Sequence, residues 1–216
     1  MNIMIHASPQ RMWYVNDFLI PSMRAQGVSE DEIIVWNDTE GRGNLFSCME
    51  SFKACGNEDG GTWHIQDDVI ISRDFAKRTE ELDDGIVCGF CCQNFGPSLQ
   101  QQGIVPACFM WYSFQCIRIP NDMAAEFVDW FCGDAQYRPI YQDHVVDKKH
   151  DDWFFREFIL EKHRDKYVNN LVPCLVDHID YLIGGTLVNK QRHIQVNRAK
   201  WFPDQDLVEE LEQKMI

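Results

Sequence analysis

Hydrophobic and polar positions change period repeatedly along the first half of the chain. Asn2–Ala7 alternates apolar with polar and predicts a strand. Pro9 opens a helical stretch with Trp13, Phe18 and Met23 among its apolar positions, and Gly27 ends it. Residues 32–36, with Ile33, Ile34 and Val35, predict a buried strand that stops at Asn37 and Asp38. After a turn at 41–43, residues 44–55 place Leu45, Phe46, Cys48, Met49 and Phe52 at helical spacing. A second turn at 57–61 leads into a strand over 62–66, which closes on Asp67 and Asp68. A short helix over 75–82 and a strand over 85–92 follow. Strand alternating with helix predicts a parallel α/β sheet. In such sheets ligands sit outside the carboxyl ends of the strands. The polar residues found there are Ser8, Asn37 with Asp38, and Asp67 with Asp68.

The second half is less regular. Residues 94–106 contain Gly96, Pro97, Gly103 and three consecutive Gln, and read as a loop. Residues 108–119 are apolar and aromatic and predict a strand; 120–132 predict a helix through Met123, Phe127 and Trp130. Residues 136–146 read as strand or loop, and 151–163 as a helix followed by a turn at Asn169 and Asn170. Residues 171–182 with Gly184 and Gly185 read as a strand and loop, and 204–215 as a terminal amphipathic helix.

Composition narrows the function classes. The chain has 216 residues, the length of one large domain with a sizeable core. Its 20 Lys and Arg face 34 Asp and Glu, a net charge of -14, which disfavours a general nucleic-acid binder or an anionic membrane surface as partner. The nine cysteines are odd in number and mostly within apolar runs, the pattern of reduced thiols in a cytosolic protein. Cys88, Cys91 and Cys92 have CxxC spacing without a second such pair, so they predict strand core and not a zinc ribbon. The first residues lack a basic region followed by a long apolar run, and no segment has the ~18 apolar residues of a transmembrane span. These features predict a cytoplasmic protein without a transmembrane segment.

Asp67 and Asp68 lie at the end of a buried strand within Trp63-His64-Ile65-Gln66-Asp67-Asp68-Val69-Ile70. Adjacent carboxylates there repel each other and lose solvation. A divalent cation compensates both effects, since hard cations prefer oxygen ligands. An Asp capping the next turn, with Ser72 and Asp74 close behind, is the other reading.

The strand 2–7 with Ser8, the segment 32–38, the Gly43-Asn44 turn and the strand ending in Gln66-Asp67-Asp68 together resemble a GT-A glycosyltransferase. The resemblance implies an α/β GT-A fold, with a Rossmann-like, mostly parallel sheet flanked by helices. The single domain 1–216 would comprise a nucleotide-sugar-binding half, 1–95, and an acceptor-binding half with a C-terminal helix, 96–216. Such enzymes hold the diphosphate of a UDP- or GDP-linked sugar through Mn²⁺ or Mg²⁺ on a DxD-type motif. Here Gln66 stands where the motif has its first acid. By resemblance Asp68 is the direct metal ligand and Asp67 sits by the ribose or a metal-bound water. Ser8 and Arg11 would meet the nucleoside, Asp38 the base or ribose, and Asn44 the nucleotide. Turn chemistry explains Asp38 and Asn44 equally well.

Asp151 and Asp152 open an aromatic helix, as an N-cap and a dipole partner would. The same position suits a general base for an acceptor hydroxyl, and GT-A enzymes often carry an acidic pair before an aromatic helix. Asp152 is the expected base and Asp151 the cap, although a retaining enzyme needs no such base. His178 lies in an apolar run that is similar to the region where enzymes of the lipopolysaccharide-galactosyltransferase sort complete the metal site. A core histidine is the alternative. Lys190, Arg192 and Arg198 would offer positive charge to a diphosphate, or lie on the surface. The acceptor would be a glycan, a lipid-linked or another hydroxyl, with nucleic acid disfavoured by the charge. A nucleotidyltransferase-like phosphoryl-transfer enzyme and a non-catalytic nucleotide-binding protein are the competing classes.

Overall fold

The computed structural model describes residues 1–55, 60–80, 82, 85–90, 103–107, 114–133, 151–184, 198–199 and 201–215. Its strands are β1 (Asn2–Ala7), β2 (Ile33–Asn37), β3 (Gly61–Gln66), β4 (Val69–Ile71), β5 (Ile86–Cys88), β6 (Gly103–Pro106), β7 (Cys116–Pro120), β8 (Tyr167–Asn170) and β9 (Val176–His178). Seven of them form one sheet in the order β2-β1-β3-β7-β5-β8-β6, and β4 pairs with β9 in a second, two-stranded sheet. β1 pairs in parallel with both β2 and β3, and β5 with β8. β7 runs antiparallel between β3 and β5, and β6 antiparallel along β8. The sheet is therefore α/β and mostly parallel in strand direction, with two reversed strands that periodicity does not reveal.

Helices cover both faces. The alternation read in β1 divides the core: Ile3, Ile5 and Ala7 pack with Tyr14, Leu19, Trp63, Ile65, Phe75, Val208 and Leu211 on one face. Met4 and His6 point the other way, toward α3 (Asn44–Ala54). There Leu45, Met49 and Phe52 pack with α5 (Asn121–Gly133) and α6 (Asp151–Lys162) through Phe127, Phe131, Phe155 and Phe158. The rings of Phe127 and Phe155 meet edge to face at 5.3 Å. α4 (Phe75–Glu80) and α7 (Gln205–Met215) cover the first face. Among the described residues no helix is long and apolar enough to cross a membrane.

The first helical stretch is interrupted. A 3₁₀ turn, Pro9–Arg11, leads into α1 (Met12–Tyr14), a π-helical turn, Val15–Leu19, and α2 (Ile20–Ala25). Pro21 is the physical reason. It has no N–H to donate to the Asp17 carbonyl, and its ring would press on that group in α register. The Ile20 N–H bonds instead to the Val15 carbonyl, an i→i−5 contact.

Two segments differ from the sequence expectation, and a third is described only in part. The predicted loop over 94–106 contains β6, a four-residue strand between Gly103 and Pro106 that is held by its pairing to β8. The predicted turn at Asn169 and Asn170 is the end of β8, where Asn170 is fully buried opposite Cys88 of β5. The strand expected over 108–119 is seen as β7 only, since 108–113 lie outside the described residues. The segment 136–146, Cys91, Cys92 and Arg192 also lie outside them.

Candidate active site

Strand register assembles the site. β1 and β3 run side by side with His6 opposite Gln66, so the chain leaves β1 at Ser8 just where it leaves β3 at Asp67. The Ser8 backbone N–H donates to Asp67 Oδ2 at 2.6 Å, and its hydroxyl donates to the same oxygen at 2.8 Å. Arg11, one 3₁₀ turn later, sends Nη1 to Asp67 Oδ1 at 2.8 Å and to Asp68 Oδ2 at 2.6 Å. Asp67 and Asp68 form the tight turn between β3 and β4. β9 pairs along β4 with His178 opposite Val69, and the Ile179 N–H donates to the Asp68 carbonyl at 2.8 Å. That ladder sets His178 Nε2 at 3.2 Å from Asp68 Oδ2. Tyr14 braces the turn by donating its hydroxyl to the Val69 carbonyl at 2.8 Å.

The cluster is buried and charged throughout: Arg11 is 4% exposed, Asp67 5%, Asp68 9% and His178 6%. Burial alone would raise the Asp68 pKa, but His178 and Arg11 outweigh it and hold the carboxyl well below the usual range. Asp67 moves the other way: burial and the Asp68 charge raise it against Arg11 and Ser8. Burial opposes the His178 imidazolium, yet Asp68, with Asp180 nearby, raises its pKa above the ordinary value. Asp180, 8% exposed, is a member that the sequence reading missed. Its signal was its place two residues beyond His178, in the turn that follows β9.

Two carboxylates and an imidazole suit a divalent cation in kind. Asp68 Oδ1 is also buried with no hydrogen-bond partner among the described residues. The set is not assembled around a metal position, however. Among the described residues no three His, Cys, Asp or Glu side chains are placed to hold an ion together. Arg11 Nη1 bonds both carboxylates instead.

The acidic pair of the second half reaches the same end of the sheet. Asp151 opens α6, is 4% exposed, and accepts the Asp152 N–H on Oδ1 at 3.0 Å. Burial pushes its pKa up to about 8, with the charges of Asp152 and Asp68 adding to the rise. Asp151 and Asp152 likewise raise the buried Cys48 thiol of α3, after the larger effect of its own burial. Asp151 is thus in electrostatic reach of Asp68, while Asp152 is only half-buried.

Neither a known family model nor a curated protein matches this sequence.

Other expected residues fall into place differently. Asp38 spends both carboxylate oxygens on its own loop, accepting the Arg42 N–H at 2.9 Å and the Gly43 N–H at 2.7 Å. Gly43, at φ 96°, makes the turn that starts α3 at Asn44. Both residues therefore shape the loop beside β1, where the Asp38 N–H donates to the Ala7 carbonyl at 2.9 Å. Arg198 does not present free positive charge. It donates to Asp177 Oδ2 at 2.6 Å, to the Tyr181 hydroxyl at 2.9 Å and to Gln205 at 2.9 Å. Arg192 lies outside the described residues.

Beneath the site, His6 Nε2 and His64 Nδ1 lie 3.0 Å apart, with Ser51 Oγ 3.1 Å from His6. Burial lowers the His6 pKa to about 4 and the His64 pKa well below its ordinary value. Both rings are therefore neutral in the fold at a pH where the unfolded chain takes up protons. Their contribution to stability is complete above the unfolded value of 6.5 and declines as pH falls toward the folded value of about 4. With two rings the slope is about 2–3 kcal/mol per pH unit. His64→Leu is expected to halve that slope between pH 6 and 4 in urea unfolding. An unchanged slope would show that the pair does not govern acid stability.

Proposed function

We propose that the chain is a GT-A-type glycosyltransferase that moves a sugar from a nucleoside-diphosphate sugar to an acceptor hydroxyl. One observation carries the reading. Ser8, Arg11, Asp67, Asp68 and His178 meet outside the carboxyl ends of β1 and β3, with Asp151 in electrostatic reach. That is the ligand position of a parallel α/β sheet.

Asp68, Asp67 and His178 would hold Mn²⁺ or Mg²⁺. When bound, the cation supplies Lewis-acid stabilisation of the departing diphosphate. Ser8 fixes Asp67 in place through two hydrogen bonds. Arg11 supplies a planar guanidinium matched to phosphate oxygens. Asp151 takes the proton from the attacking hydroxyl. Its pKa of about 8 lies close to a neutral working pH, where a base combines an adequate ionised fraction with proton affinity. Asp152, the base expected from sequence, contributes the adjacent charge that helps to raise it. Asp38 and Asn44 border the nucleotide through the loop that they build. Free Cys48, Cys55, Cys88 and Cys116 among the described residues suit a reducing, cytoplasmic setting.

The test is a panel of UDP- and GDP-sugars with Mn²⁺, scored by released nucleotide, for the native chain and Asp68→Ala. Release of nucleoside diphosphate from one donor is expected, lost in Asp68→Ala and in EDTA. Full activity in either condition overturns the metal assignment. Release of pyrophosphate from nucleoside triphosphates in its place would point to nucleotidyl transfer.

A further inference from the structure

We propose that Arg11 is an internal competitor for the divalent-cation position: its guanidinium occupies the space between Asp67 and Asp68 and leaves it when the cation binds. This deepens the glycosyltransferase reading and rests on its metal assignment. A single nitrogen, Nη1, bridges Asp67 Oδ1 at 2.8 Å and Asp68 Oδ2 at 2.6 Å. It therefore sits where one cation would touch both acids. His178 Nε2 is engaged at 3.2 Å on the same Asp68 oxygen, so its ring faces the carboxylate and not a metal. This explains a donor set that is right in kind but not assembled among the described residues.

Two like charges do not share such a position, because repulsion is strong where water is excluded. Two buried carboxylates do not stay empty either, since an uncompensated buried charge is costly. The site thus has two low-energy fillings, the guanidinium or the metal. Asp67 keeps its two Ser8 hydrogen bonds in both, and Asp68 Oδ1 is a buried oxygen with no hydrogen-bond partner among the described residues to give up. The displaced guanidinium has a partner waiting in the donor's diphosphate, which it matches as a two-pronged donor. Cation and donor therefore bind cooperatively, each raising the affinity of the other by the same factor. Metal alone binds weakly, because it must evict Arg11 from both acids.

The test titrates MnCl₂ alone into the full chain and follows free Mn²⁺ by electron paramagnetic resonance. Arg11→Gln is expected to bind Mn²⁺ more tightly than the native chain, on the order of tenfold or more. Arg11→Lys, whose shorter ammonium holds the two acids less well, should fall between them. Adding Asp68→Asn to Arg11→Gln should abolish binding. Equal affinity in the native chain and Arg11→Gln, with loss on adding Asp68→Asn, overturns the competition and leaves the metal assignment standing. No Mn²⁺ binding in any variant overturns both. If Arg11→Gln does not fold alone, folding on addition of MnCl₂ supports the proposal. Failure to fold in MnCl₂, together with native affinity in Arg11→Lys, overturns it.

Discussion

Asp151→Asn is expected to stabilise the protein in alkaline solution and to abolish transfer. The folded Asp151 carboxyl has a pKa of about 8, against an ordinary value of 3.8. Between those values the fold keeps a proton that the unfolded chain has lost, so stability falls as pH rises through that window and levels off above it. Each unit of difference corresponds to about 1.4 kcal/mol. Asparagine cannot ionise, so it removes the decline. Its Oδ1 still accepts the Asp152 N–H, and the start of α6 keeps its cap. At pH 9 the gain should be on the order of 3 kcal/mol or more in urea unfolding, and near zero at pH 4. The same change removes the group assigned to the acceptor proton, a loss of about 10²–10⁴-fold in turnover. Parallel stability curves for the two proteins from pH 4 to 9 would refute the buried-acid picture. Retained turnover would return the base to Asp152.

Asp177→Ala should cause one of the largest losses of stability in the chain. Asp177 is fully buried, and its carboxylate accepts from Arg198 Nε at 2.6 Å, the Ala199 N–H at 2.6 Å and the His178 N–H at 2.9 Å. Removing it leaves the guanidinium and a buried amide without their strongest acceptor. Breaking one side of such a pair costs about 3–5 kcal/mol. The damage should spread in both directions from β9. One way it frees the segment that leads into α7, whose Val208 and Leu211 close the first core. The other way it loosens the strand that carries His178. Urea unfolding should show the loss, and limited proteolysis should cut near 198–205 first. A loss below about 1 kcal/mol would place the pair among weak surface bridges.

The strongly periodic elements were legible in the sequence. β1, β2 and β3 alternate or run apolar between turn residues, and α3, α5, α6 and α7 carry helical spacing. β4, β6 and β8 were not legible, because they are short and their backbone partners come from distant chain. β8 ends in two asparagines that look like a turn until the ladders on both sides are seen. The reversed direction of β7 is likewise a property of pairing and not of pattern. For the site, residue type and position at strand ends sufficed to name Ser8, Asp67 and Asp68, whereas Arg11, the Asp151-Asp152 pair with Asp152 as base, and His178 came from the resemblance. What joins them depends on three-dimensional register. Nothing local says that Arg11 lies across both acids, that Arg198 belongs to Asp177, or that Asp151 is the more buried of its pair.

The π-helical turn at Val15–Leu19 links the site to the core in a way that can be put as phase. Upstream, Arg11 and Tyr14 must face the Asp67-Asp68 turn; downstream, Met23 must face the sheet. An uninterrupted α-helix advances about 100° per residue and fixes one relation between those two faces. The wider turn absorbs one residue, so the two ends can be set independently. Drawing all of its residues into regular α register would swing one end by about 100° relative to the other. Either the guanidinium would leave the acids or the core would lose its methionine. Deleting one residue within Val15–Leu19 would remove the extra residue and leave the two faces in phase, so the irregular stretch is where that helix best accommodates such a change.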